Sequence, residues 1–166
     1  MTEFTPRLTE DGIYLSKYYY QENPFHQSGY GLPNCTCYAF GRFWEITGGA
    51  MPNLSLGNAE EWFGKADGYG RGQTPKLGAV ACWRNGQVGV ASDGAGHVAI
   101  VEVINEDGSI VTSESGWGAS RTMWTEHRQN DGNWGQVSPY IFQGFIYIPD
   151  NEKRKKMPLW MYLRYN

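Results

Sequence analysis

The chain has 166 residues, of which 40% are hydrophobic and 19% charged, a balance that supports a buried core and excludes a disordered polymer. A net charge of -3 gives no global basic field, so no nucleic acid partner is expected. Three cysteines cannot all pair with one another, and no run approaches the roughly 20 apolar residues of a membrane helix.

Residues 1 to 12 read MTEFTPRLTEDG, without the basic start and apolar run of a signal peptide. The expectation is a protein made in the cytoplasm that some other device releases. Residues 13 to 34 mix Tyr, Gln, Asn, Gly and Pro in loose order and predict an irregular stretch with one short helix or strand. Residues 1–24 are taken as an entry segment. Pro33 and Asn34 then precede a helix predicted over Cys35 to Ile46. Asn34 is a good N-cap, and Cys35, Ala39, Phe43 and Ile46 share one face before Gly48 and Gly49 stop the helix. Asn58 and Glu61 have capping-box spacing and predict a second short helix.

From Leu77 the pattern changes to strands. Ala79 to Trp83 is an apolar run closed by Asn85-Gly86, and Val88 to Ala91 another closed by Asp93-Gly94. His97 to Ile104 is rich in β-branched residues, and Asp107-Gly108 turns it into Ser109 to Ser115. Gly144 to Ile148 predicts a last strand. Helices followed by hairpins give an α+β class, with N-terminal helices packed on an antiparallel sheet. Lys153 to Lys156 and the aromatic string after Pro158 set residues 150–166 apart as a tail that could contact an envelope surface or another copy of the chain.

Three residues are candidates for joint chemistry. Cys35 falls in the first turn of its helix, where unpaired N–H groups and the helix dipole favour a thiolate. His97 opens an apolar strand, where its ring can stand at a sheet edge. Glu114 lies on the next strand, and the turn at Asp107-Gly108 brings it beside His97, where a carboxylate can orient an imidazole and stabilise its cation. Cys37, two residues further on, points about 200° round the helix from Cys35. Cys82 lies inside an apolar strand and is expected in the core.

These residues stand in segments that resemble a known family. Asn34-Cys35-Thr36-Cys37-Tyr38-Ala39 resembles the Cys box of CHAP domains, and Leu77 to Trp83 their first-strand motif. Gly96-His97-Val98-Ala99-Ile100-Val101-Glu102 resembles the His box, and Ser113-Glu114-Ser115-Gly116-Trp117-Gly118 the acidic box. Phe142 to Tyr147 is similar to the closing strand. The segments keep the family's order over residues 25–149, which are taken as the catalytic domain, and look like those of phage and prophage endolysins. Cys37 stands where the family often has Trp, and Gly116 where many relatives carry Asn.

The resemblance implies a papain-like fold and cleavage of amide bonds in bacterial peptidoglycan, either the muramoyl-alanine bond or one within the stem peptide or cross-bridge. Cys35 is then the nucleophile, His97 the base and Glu114 the group that orients it. Trp83 and Trp117 are candidates for the cleft wall, and Tyr30 and Asn34 for a second oxyanion donor beside the Cys35 N–H. Neither cofactor nor metal is expected, since no CxxC or HExxH spacing is present and Asn23 to Asn34 holds no Asp or Glu for calcium. Two other readings share these residues: a non-catalytic wall- or glycan-binding module, and a papain-like hydrolase of a non-wall substrate.

Overall fold

The computed structural model describes residues 4–86 and 95–149. The segment Val88 to Ala91, the turn after it and the tail from residue 150 lie outside the described residues.

The helix predicted from Cys35 is α2, Cys35–Thr47, preceded by the short α1, Pro24–Gln27. Asn34 caps α2, its side-chain oxygen accepting from the Thr36 N–H at 3.3 Å. Gly48, at φ 63°, ends it by donating its N–H to the Trp44 carbonyl at 2.7 Å. The capping box at Asn58 forms, the Glu61 carboxylate accepting from the Asn58 N–H at 2.7 Å. The element it caps is one 3₁₀ turn, Ala59–Glu61, and not an α-helix.

Among the described residues, six strands make one antiparallel sheet: β1 (Arg71–Gly72), β2 (Val80–Asn85), β3 (His97–Ile104), β4 (Ile110–Glu114), β5 (Trp124–Arg128) and β6 (Tyr140–Ile146). Their order across the sheet is β1-β6-β2-β3-β4-β5. The β3–β4 hairpin closes at the expected turn, with Gly108 at φ 86° and Asn105 N–H donating to the Ser109 carbonyl at 2.8 Å. The closing strand begins at Tyr140, four residues before the predicted start. β1 and β5 were not foreseen.

Strand alternation divides the core into two layers. Val80, Cys82, Val98, Ile100 and Ile146 face α2, with Phe40, Phe43 and Trp62. Ala79, Ala81, Trp83, Ala99 and Phe145 pack on the opposite face with Trp134. The single apolar stripe read for α2 understates its burial: every residue from Thr36 to Trp44 is buried. The reason is a second covering layer, in which Ile13, Tyr19 and Phe25 of the preceding segment join the core.

That burial includes charge. Arg42 on α2 donates from Nε and Nη2 to Glu102 of β3 at 2.9 and 2.8 Å, and from Nη1 to Glu45 at 2.8 Å. Arg7 brings the N-terminal segment to the same cluster, its backbone N–H bonding Glu102 at 3.0 Å and its guanidinium bonding Glu45 at 2.9 Å. Buried charges persist only with partners of this kind, because an unpaired one keeps its desolvation cost.

Candidate active site

The N-terminus of α2 and the first residue of β3 meet at the floor of a cleft of about 1100 Å³ lined by Cys35, His97 and Glu114 among others. Cys35 is half-buried and free, in the first turn of α2 as its position after the cap requires. The serine that follows β4 fixes that turn in space: the Asn34 N–H donates to Ser115 Oγ at 3.0 Å.

His97 stands between Cys35 and Glu114. Its Nε2 lies 3.0 Å from Glu114 Oε1. In the hairpin register Ile100 pairs with Ser113, so Glu114 falls opposite Ala99, on the same sheet face as His97 and diagonal to it. Burial pulls the His97 pKa down, but hydrogen bonds to Cys35 and to Glu114, with attraction to both, outweigh it and raise the value to about 10. Burial pushes Glu114 up. The His97 bond and the charges of His97 and Arg128 reverse that, with help from Thr112, and bring Glu114 down to about 2. At neutral pH the geometry therefore favours an imidazolium held against a carboxylate, with a sulfur at its other side.

Cys37 is excluded as the attacking thiol. It is fully buried, its Sγ donates to the Tyr19 carbonyl at 3.6 Å, and burial raises its pKa to about 12. Cys82 is buried in β2, and burial raises its pKa as well. Among the described residues, no group of three or more His, Cys, Asp and Glu side chains is placed to hold a metal.

The expected wall residues separate. Trp117 and Tyr30 line the cleft, are 68% and 58% exposed, and hold each other at a ring distance of 5.8 Å. Trp83 corrects its assignment to the cleft wall. It is wholly buried, donates its indole N–H to the Asn133 carbonyl at 2.9 Å, and lies against the His97 ring at 5.7 Å. Its short apolar run carries it into the second core layer. Asn34 lines the cleft, but its side chain is engaged elsewhere. Its oxygen accepts from the Thr36 N–H and hydroxyl, and its amide donates to the Tyr30 carbonyl at 2.8 Å. Asn34 thus shapes the helix tip, and nothing in this bonding turns its side chain toward an oxyanion.

Sequence reasoning missed Arg128. Its Nη2 reaches both Glu114 oxygens, at 2.8 and 3.0 Å, from β5. No spacing rule connects residue 128 to the acidic box. The available signal was an Arg on a strand that could neighbour β4.

The CHAP domain family model matches residues 25–116. The chain is 36% identical over 104 residues to N-acetylmuramoyl-L-alanine amidase sle1 of Staphylococcus epidermidis, covering 61% of this chain and 29% of that protein. It is 38% identical over 98 residues to an N-acetylmuramoyl-L-alanine amidase domain-containing protein of Staphylococcus aureus, covering 55% of this chain and 15% of the other. A solved N-acetylmuramoyl-L-alanine amidase from Staphylococcus aureus shares 34% identity over 58% of this chain and 27% of its own, with a TM-score of 0.47. The match thus spans less than a third of each of these relatives. With the Cys, His and acidic boxes in one cleft and the family model covering more than half of its length, the chain belongs to the CHAP domain family.

Proposed function

We propose that the protein hydrolyses an amide bond of bacterial peptidoglycan, at the muramoyl-alanine linkage or within the peptide portion, with Cys35 as nucleophile. The observation that carries this reading is the line Cys35–His97–Glu114 at the floor of an open cleft, in a family whose matched relatives bear the name N-acetylmuramoyl-L-alanine amidase.

His97 is already an imidazolium, carrying the proton given up by Cys35, and the thiolate attacks the scissile carbonyl carbon. The resulting oxyanion lies by the N-terminus of α2, where the Cys35 N–H can donate to it, an interaction worth about 2.7–4 kcal/mol per donor. The C–N bond breaks as His97 returns the proton to the leaving amine. A thioester remains. His97 then draws a proton from water, the hydroxide oxygen attacks the thioester carbonyl, and the C–S bond breaks to give a carboxylic acid and the Cys35 thiolate beside the His97 imidazolium. Glu114 holds the ring and its charge through both steps.

Tyr30 and Trp117 form the cleft mouth in this reading and contact substrate. The site of action is the wall, and the catalytic domain is residues 25–149 together with the preceding segment, whose Ile13 and Tyr19 join the core. A phage or prophage source is part of the same proposal, checked by the genes that flank the coding sequence. So is a role for residues 150–166 at an envelope surface or between copies, checked by deleting them and measuring wall binding and oligomer size.

The direct test is digestion of purified wall followed by mass analysis of the fragments. New amino and carboxyl ends at one type of bond, lost in Cys35→Ser, are expected. Intact wall with retained binding would identify a non-catalytic module instead, and release from a non-wall polymer alone would reassign the substrate.

A further inference from the structure

We propose that Arg128 is a positioning residue of this site, acting on His97 through Glu114 and Trp83. The inference rests on the Cys–His reading for its kinetic part alone.

Arg128 is 5% exposed, and nearly every polar bond it makes serves the site. Nη2 grips both carboxylate oxygens of Glu114 at 2.8 and 3.0 Å. Nε donates to Thr112 Oγ1 at 3.0 Å, and Thr112 in turn donates its hydroxyl to Glu114 Oε2 at 2.6 Å. Nη1 donates to the Trp134 carbonyl at 2.8 Å. Trp134 has φ 50°, a left-handed conformation unfavourable for a bulky residue, so the loop accepts strain where it presents that oxygen. The guanidinium also lies over the Trp83 ring at 4.7 Å, and that ring lies beside His97 at 5.7 Å.

The four side chains therefore close a circuit. Arg128 touches Glu114 and Trp83, and each of these touches His97. Without the grip, Glu114 would keep its bonds to Thr112 and His97 but lose the two that fix the plane of its carboxylate. An orienting carboxylate is useful only when its own rotamer is locked. The position of the charge matters too. The groups facing His97 are Cys35 from α2, Glu114 from β4 and Tyr140 from β6, whose ring is 6.5 Å away. Arg128 stands behind Glu114, and Glu60 packs its backbone against Gly96.

This layout gives the test a diagnostic sign. If Arg128 were only a nearby cation, removing it would make the imidazolium easier to keep and raise the His97 pKa. If it positions Glu114, removing it loosens the carboxylate and lowers that pKa. A role confined to general folding would move neither in a folded variant.

The experiment titrates the His97 ring protons by NMR in the full chain, with wild type, Arg128→Met, Arg128→Lys, Glu114→Gln and the Arg128→Met/Glu114→Gln pair, alongside kinetics on purified wall. In Arg128→Met the His97 midpoint should fall toward that of Glu114→Gln, and kcat should drop about 10- to 100-fold with KM little changed. In the Glu114→Gln background, Arg128→Met should cost clearly less than it does alone, since only its contact with Trp83 is left to lose. Arg128→Lys should fall between, because it keeps the charge and loses the fork. A raised midpoint, an unchanged midpoint, additive losses, or a change confined to KM would each overturn the proposal. Should Arg128→Met not fold, Arg128→Lys and the double variant decide by the same criteria. The NMR arm needs no substrate, so wall left undigested by the wild type would refute the proposed function and leave the positioning result readable.

Discussion

Exchanging sulfur for oxygen at Cys35 keeps the shape of the side chain and removes the nucleophile that the helix tip favours. Cys35→Ser is expected to lower wall hydrolysis by about 10⁴-fold or more, measured as loss of turbidity. Cys37→Ser should retain most activity, because Cys37 faces the Tyr19 carbonyl in the core. Trp117→Ala should raise KM with little change in kcat, since that ring is exposed at the cleft mouth and touches no member of the catalytic line among the described contacts. The three residues of the proposed catalytic line, which the structure brings together, were legible in the sequence because each carries a local signature: a cysteine after a cap, a histidine opening a strand, a glutamate across a Gly-turned hairpin. Trp83 and Arg128 were not. A buried tryptophan and a cleft tryptophan have the same sequence appearance, and the ladder pairing that brings β5 beside β4 leaves no trace in residue spacing.

Among the elements, the N-terminal approach to β3 is closely enclosed by backbone. Gly96 has φ 75°, and a Cβ there would stand 2.5 Å from the Trp83 carbonyl oxygen and 2.8 Å from the Glu60 nitrogen. Gly96→Ala must therefore either unwind this turn or shift β2, and both displace His97. The left-handed conformation alone costs about 1–2 kcal/mol, before the clash is counted. A lowered denaturation midpoint together with lost activity is expected, read by chemical unfolding and turbidity on the same preparation. Helix α2 and the β3–β4 hairpin follow from capping, periodicity and turn chemistry, which are local. β5, with Trp124-Thr125-Glu126-His127-Arg128, lacks a hydrophobic alternation and is held by pairing with β4, a long-range cause that a window of sequence does not contain. β1 has two residues and exists through its pairing with β6.

For the molecule as a whole, the His97–Glu114 contact ties stability to pH in a defined way. Glu114 is held below its ordinary 4.5, at about 2, so its share of stability is present above 4.5 and is lost as pH falls toward 2. His97 is held above its ordinary 6.5, at about 10, so its share is complete below 6.5 and is lost as pH rises through 10. The two groups share one contact, with Cys35 adding to the rise of His97 and Arg128 and Thr112 to the fall of Glu114, and its full contribution lies between these limits. Thermal unfolding of wild type across this range should show a plateau between about 4.5 and 6.5, flattened in Glu114→Gln; an unchanged profile in that variant would remove the linkage. The buried charges at Arg7, Arg42, Glu45 and Glu102 bear on a different matter, the choice of excision points. A fragment trimmed to residues 25–116 would discard Arg7, Ile13 and Tyr19 at one end and β5 and β6 at the other. It would leave Glu102 short of one donor on the strand that carries His97, and Glu114 without its guanidinium. Anyone grafting this domain onto a new targeting module should place the junctions outside Phe4 and Pro149, since its packed core is wider than the stretch that marks its ancestry.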